Sequence, residues 1–416
     1  MAASFQCSGN RAPNGSDAHP GLRRFAGLAP TPGLAHAVPM LTPLPLPPGI
    51  RTRFLGNGRG LDMHLLEAGE AGQPLLLLLH GFPELAYSWR KVMLPLAAAG
   101  YHVVAPDQRG YGRTTGWSQG YDVDLHEFGP LNYVRDALGL VAALGVEHVA
   151  CVIGHDFGSP VAGNCALARP DVFGAAVVMS APFGGPPALP PGGAERPPGG
   201  LASPAMNAAL AALPRPRKHY QWHYSTRGAD AELMTHPAGL RAFFRAYYHH
   251  KSADWPANQP HPLAGWDADV IATMPTYYIM DAGQGMAETV AHEMPGFVAP
   301  WLTEAELGVY ADEYARTGFQ GGLQSYRCTT LGLTGAEMQL FAGRPITVPS
   351  MFIGGASDWG VHQKPGDFER MQSHGCADLR GCHLVPGAGH WVMQEQPVAV
   401  ASLILNFLSE TPEKFA

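Results

Sequence analysis

Three side chains in this sequence have the types and the order needed for a two-step displacement: Asp156, Asp358 and His390. Asp156 is the centre of Gly154-His155-Asp156-Phe157-Gly158. The apolar, β-branched run Val149 to Ile153 precedes it, and the small residues Ser159, Ala162 and Gly163 follow. Strand, tight turn, then helix, with glycine two positions either side of one polar residue, is the pattern of a nucleophile elbow. A hydroxyl at such a tip attacks an acyl carbon, whereas a carboxylate attacks an alkyl carbon and becomes an ester. The plainer reading is a helix N-cap, a common role for Asp after a strand. What favours the elbow is the company it keeps.

An ester on Asp156 must be hydrolysed, which calls for a general base and a group to orient it. Met351-Phe352-Ile353-Gly354-Gly355-Ala356-Ser357-Asp358 puts Asp358 just past a strand end, and Pro386-Gly387-Ala388-Gly389-His390-Trp391 puts His390 in a glycine-rich loop. Loops at the carboxyl ends of strands form the working crevice of open α/β sheets. Nucleophile, acid, histidine is the chain order of the α/β-hydrolase fold. The tetrahedral oxyanion then needs two N–H donors. Phe157, next to the nucleophile, supplies one, and the loop after the Leu75–Leu79 strand supplies the other, at Phe82. Pro83 is a candidate for a cis peptide bond.

The surrounding pattern positions these groups. Thr52 to Leu55 and Leu61 to Leu66 flank Gly56-Asn57-Gly58-Arg59-Gly60, a hairpin signal. A helix is expected over Tyr87 to Ala99, a strand over Tyr101 to Ala105, a helix over Leu131 to Leu144 and a strand over Ala175 to Ser180. Asp107 to Arg113 reads as a loop bracing the sheet. Such alternation predicts a mostly parallel central sheet with helices on both faces. From Pro182 to Gly200 the chain is rich in Pro and Gly, a boundary. Residues 201 to 330 are helical in character and dense in aromatics. Strands over Ile346 to Ile353 and His383 to Val385 and a helix over Pro397 to Leu408 resume the alternation. The chain therefore divides into an α/β core over 50–182 and 331–416, a helical cap over 183–330, and a Pro/Gly/Ala-rich leader over 1–49. The leader is expected to be disordered or loosely docked. Its arginines and single acid, Asp17, also fit an organellar transit peptide on an otherwise cytoplasmic protein.

A formal charge of −7 over 416 residues gives no footprint for nucleic acid. No apolar run is long enough to span a bilayer. The six cysteines match no zinc spacing, and Cys151 and Cys165 sit in core-like runs, which suits a reducing compartment. Cys376 and Cys382 could pair, though nothing requires it. His249-His250 lacks a second pair of ligands, so no metal is expected. The sequence leaves monomer and homodimer open.

Together, His80-Gly81-Phe82-Pro83, the Asp156 elbow, the Ser357-Asp358 loop and Gly389-His390-Trp391 resemble the α/β-hydrolase-fold epoxide hydrolases, over residues 50 to 410. His219-Tyr220-Gln221-Trp222 and Gly318-Phe319-Gln320-Gly321-Gly322-Leu323-Gln324-Ser325-Tyr326-Arg327 extend the resemblance into the cap. It implies that Tyr220 and Tyr326 hydrogen-bond the epoxide oxygen, with Tyr224 the rival for Tyr220. A phenol with a pKa near 10 is a suitable donor to a developing alkoxide. It also implies a pocket walled by His80, Pro83, Trp222, Tyr224, Trp359 and Trp391, a small-molecule epoxide and water as reactants, and no cofactor. The sequence departs from the usual pattern at Phe157, where many members have Trp, and at Ser325, where an aromatic is common. Both changes are expected to enlarge or reshape the pocket. A hydrolytic dehalogenase shares the Asp, His and acid but needs N–H donors for halide, which Phe157 and Phe82 side chains lack. A non-catalytic receptor on this fold would be marked by loss of a triad member, and all three are present.

Overall fold

The Asn57 side chain shapes the first turn. Its Oδ1 accepts from Arg59 N and Leu61 N, folding β1 (Arg51–Gly56) back on β2 (Asp62–Ala68) as the expected hairpin. The structure, a computed structural model, describes residues 41–186, 188–189, 202–333 and 335–411. The following strands are β3 (Leu75–Leu79), β4 (His102–Pro106), β5 (Cys151–His155) and β6 (Ala176–Met179). Next come β7 (Arg217–His219) and β8 (Ile279–Asp281) in the insertion, then β9 (Ser350–Gly355) and β10 (Leu379–Val385). Eight of them make one sheet in the order β1-β2-β4-β3-β5-β6-β9-β10. The pairings from β4 through β10 are parallel, and those of β1 with β2 and of β2 with β4 are antiparallel.

Central strands are buried along their whole length because helices cover both faces. Period-two alternation sends Leu76, Leu78, Val103, Ile153 and Val177 to one face. There they meet Val92 and Leu96 of α1 (Arg90–Ala98) and Ile404 and Phe407 of the terminal helix Pro397–Ser409. Leu75, Leu77, Val104, Val152 and Val178 go to the other, against Leu140 of α2 (Pro130–Ala143) and Val161 and Cys165 of α3 (Gly158–Ala168).

Several elements differ from the sequence expectation. The strand expected from Ile346 starts at Ser350, because Pro349 has no N–H for a ladder, and Ile346 keeps only an isolated bridge to Cys376. Leu44 and Leu46, in the stretch expected to be the leader, pack against the core. The earlier part of that stretch, with the transit-peptide expectation, lies outside the described residues. Cys376 and Cys382 are free thiols. No helix among the described residues is long and apolar enough to cross a membrane.

The insertion holds α4 (Pro204–Ala211), α5 (Tyr220–Tyr224), α6 (Ala229–Leu233), α7 (Gly239–His250), α8 (Ala268–Ile271), α9 (Met286–Ala291), α10 (Glu304–Thr317) and α11 (Gln320–Thr330). It is not helical throughout, since β7 and β8 pair antiparallel. Polar ties seat it over the core: Arg90 Nη2 reaches Glu306 at 2.7 Å and Arg113 Nη2 reaches Glu313 at 2.5 Å. Both side chains of the second pair are nearly buried, and Glu313 has a second partner in Arg316 at 2.6 Å, so removing Arg113 leaves the carboxylate with one of its two guanidinium partners. Arg113→Met is therefore expected to cost about 2 kcal/mol in a urea melt, and Arg113→Met/Glu313→Gln less.

Candidate active site

β5 ends at His155, and the chain turns at Asp156 with φ +51°, a left-handed conformation that a non-glycine residue adopts only under constraint. A Cβ on Gly154 would stand 2.0 Å from Gly158 O, and one on Gly158 would stand 2.2 Å from Leu79 O, so both flanking glycines are obligatory. The N-cap reading fails. α3 has no side-chain cap, and Asp156 Oδ1 instead accepts from Phe82 N at 2.9 Å. This link crosses from the loop after β3 because Leu79 and Gly154 are register partners.

His390 Nδ1 lies 3.0 Å from Asp358 Oδ1, which also accepts from Gly360 N at 2.7 Å. On its other side, His390 Nε2 stands 3.2 Å from Asp156 Oδ2, an ion-pair contact without hydrogen-bond geometry. Asp156 thus divides its oxygens between a backbone donor and the imidazole. Burial alone would raise its pKa, yet the His390 imidazolium and then the Lys251 ammonium hold it well below the usual carboxylate range. For His390, burial and Lys251 push downward, but Asp358 and Asp156 outweigh them and raise it to about 9. The free site holds an imidazolium between two carboxylates.

The two cap tyrosines meet above this pair. Tyr220 begins α5, where β7 delivers it and its N–H bonds Tyr278 O at 2.8 Å. Tyr326 lies on α11, its ring 5.8 Å from Tyr220 and 5.3 Å from Phe82. Burial, then the Asp156 charge for Tyr220 and Tyr220 with Asp156 for Tyr326, raises both phenols well above their ordinary value. They stay protonated donors. Tyr224 packs 5.3 Å from both Phe82 and Tyr326, but its hydroxyl is directed to Tyr247 at 3.4 Å.

The other expected wall residues divide. Pro83, after a cis peptide bond, gives its carbonyl to Tyr248. Trp391 is 4.7 Å from the His390 ring and stacks on Tyr248, and Trp359 is buried against His261. Two expectations need correction. His80 does not face a ligand: its Nδ1 bonds Gly81 O and its Nε2 accepts from Gln108 N, so it braces the Phe82 loop. Trp222 has no ring contact with the tyrosine cluster. Two positions along α5 from Tyr220, it is turned about 200° away. Phe157 N–H makes no hydrogen bond to Asp156 here, leaving Phe82 as the donor in place. The two departures from the family pattern prove to be linked. Tyr133 on α2 packs its ring 5.3 Å from Phe157 and bonds Ser325 Oγ at 2.7 Å, occupying space that larger residues would take.

Two supports escaped the sequence reading. Glu84 and His155, both fully buried, pair at 2.6 Å, and His155 Nε2 lies 2.7 Å from His390 O. Glu395 accepts from Gly389 N, Trp391 N and Ala253 N, clamping the His390 loop, while burial raises its pKa to about 7 against those bonds. His155 sits inside the elbow motif and Glu84 directly follows His80-Gly81-Phe82-Pro83, but their pairing spans 71 residues, and no local pattern announces it.

A family model described as the alpha/beta hydrolase fold matches residues 74–397. Epoxide hydrolase B of Mycobacterium tuberculosis is 33% identical over 364 residues, spanning 85% of this chain and 96% of the relative. The crystal structure of epoxide hydrolase A from Mycobacterium thermoresistibile superposes with a TM-score of 0.69 at 32% identity, covering 87% of this chain and 98% of that one. Potato epoxide hydrolase I superposes with a TM-score of 0.66 at 29% identity, covering 87% and 99%.

The ion pair carries a pH signature. A histidine raised from 6.5 to about 9 stabilises the fold fully below pH 6.5 and loses that contribution as pH climbs through 9. The lowered Asp156 contributes above its unfolded value near 4 and loses its share in acid. The Tm of the wild type relative to Asp156→Asn should therefore be greatest near pH 5–6.5 and shrink steadily towards pH 9.5, as differential scanning fluorimetry across that range would record.

Proposed function

We propose that this chain, which belongs to the epoxide hydrolases of the α/β-hydrolase fold, opens an oxirane to a vicinal diol through an ester formed on Asp156. The observation that carries this reading is the division of labour at Asp156, with Oδ1 on the Phe82 amide and Oδ2 exposed to His390. Oδ2 attacks an oxirane carbon as the C–O bond breaks. Tyr220 and Tyr326 hold the departing oxygen, and one of them gives it a proton. Their depth keeps the phenols neutral until that moment.

Alkylation then changes the electrostatics. Asp156 becomes a neutral ester, and one of the two charges that raised the His390 pKa is lost. Burial and Lys251 still push that value down, so the imidazolium becomes the acid that restores the tyrosine's proton through solvent. Neutral imidazole remains, oriented by Asp358, and it takes a proton from the attacking water. Water adds to Asp156 Cγ, the oxyanion forms on Oδ1, and the Phe82 and Phe157 amides stabilise it. Collapse breaks the Cγ–Oδ2 ester bond, the proton left on the added water oxygen passes to the departing alkoxide, and the diol leaves with carboxylate and imidazolium restored as at the start. The proton balance closes over the cycle.

Several outcomes test this account. Asp156→Asn should leave below about 10⁻³ of wild-type turnover. His390→Gln should still form the ester and accumulate it, read by intact-protein mass spectrometry as an adduct of one epoxide mass at Asp156. No adduct with an epoxide the wild type hydrolyses would contradict it. Tyr220→Phe and Tyr326→Phe should each lower kcat/KM about 10²-fold, and their combination should abolish ester formation.

A further inference from the structure

The His390 imidazole stands on a stretch of backbone whose three consecutive amides all have partners. Gly389 N donates to Glu395 Oε2 at 2.9 Å, His390 N to Lys251 O at 2.9 Å, and Trp391 N to Glu395 Oε1 at 3.0 Å. A fourth amide, Ala253 N, reaches the same Oε2 at 2.9 Å. Glu395 ends the short core helix Val392–Glu395, whereas Lys251 and Ala253 belong to the cap, just past α7. One carboxylate therefore holds both peptide groups that flank His390 and joins them to the cap.

The contact between the two chains is close. A Cβ on Gly389 would stand 2.5 Å from Ser252 C, and Trp391 Nε1 donates to Tyr248 O at 2.8 Å. Glu395 is itself buried, and among the described residues no cation pairs with it; backbone amides are its partners. A buried carboxylate persists only when its oxygens are satisfied. Here three donors converge on two acceptor atoms, an arrangement suited to a carboxylate alone. The side-chain amide of glutamine has one acceptor oxygen, and its NH₂ would face at least one of the three N–H groups.

We propose that Glu395 is a positioning residue for the second half of the reaction: by splinting the 389–391 backbone to the cap at 251–253, it sets the height of the His390 imidazole over the Asp156 ester. The proposal rests on the epoxide hydrolase reading. Ester formation needs Asp156, Tyr220 and Tyr326, none of which hydrogen-bonds Glu395. Ester hydrolysis also needs the imidazole within reach of the water that attacks Asp156 Cγ. Asp358 orients the ring through Nδ1, while the loop sets how far the ring stands from the ester. A displacement of about 1 Å at such a base costs on the order of 10²-fold in rate. Loosening the splint should thus slow the second step and spare the first.

The test is a single turnover of styrene oxide at pH 8.5 with enzyme in excess, followed by rapid quench and intact-protein mass spectrometry. At that pH the wild-type Glu395 carboxyl, which burial raises to about 7 against its amide bonds, is ionised. In Glu395→Gln the ester should form within about threefold of the wild-type rate and decay about tenfold or more slowly. In the steady state kcat and KM should fall together, whereas a loss of folded protein lowers kcat and leaves KM in place. Glu395→Asp, which keeps the charge one methylene short, should recover part of the decay rate. Unchanged decay in Glu395→Gln, or formation slowed as much as decay, overturns the proposal and leaves the hydrolase reading intact. If the wild type neither forms an ester nor hydrolyses the epoxide, both fall. Should Glu395→Gln not fold, Glu395→Asp decides by the same two rates: slower decay with formation kept supports the assignment, and unchanged decay overturns it.

Discussion

A carboxylate and an imidazolium held 3.2 Å apart in a nearly dry site are the constraint on which the structure depends. Two opposite charges removed from water are worth keeping only if each is further satisfied. Asp156 has the Phe82 amide, and His390 has Asp358, which has the Gly360 amide in turn. Breaking any link leaves a buried charge alone. Esterification of Asp156 is the one change that removes a charge without stranding its partner, because the imidazolium can then release its proton. The same pairing that steadies the resting site thus makes it responsive to its own intermediate.

The architecture supplies that pair by bringing strand ends together. β3, β5 and β9 run parallel, with β3 beside β5, so the Phe82, Asp156 and Asp358 loops open on one edge of the sheet. His390 arrives from the loop after β10 and is fixed three times over, through Lys251 O, Glu395 and the His155–Glu84 pair. The cap adds what the sheet does not have. Its small β7/β8 ribbon aims Tyr220, α11 carries Tyr326, and buried Arg–Glu ties hold both above the nucleophile.

Much of this was legible in the chain because the chemistry is written locally. The elbow glycines, the loop after Leu79 and the glycine-rich approach to His390 are short-range steric demands, and each leaves its residue type in place. Lys251, Glu395 and the Glu84–His155 pair were not legible, since their roles depend on partners that only folding brings near. β7 and β8 were missed because three residues are too few for a period to emerge. Trp222 misled through its position in a motif: on a helix, a neighbour two residues away faces elsewhere. Phe157 and Ser325 read separately suggested a widened pocket, whereas Tyr133 joins them.

The central claim, that oxygen reaches the diol through the protein, is tested most directly by a single turnover in heavy-oxygen water with enzyme in excess over epoxide. The account predicts an unlabelled diol and one heavy oxygen retained on the Asp156 carboxyl, located by peptide mass spectrometry. A diol carrying the label after that first turnover, with Asp156 unlabelled, would mean that water attacks the epoxide directly, and would contradict it.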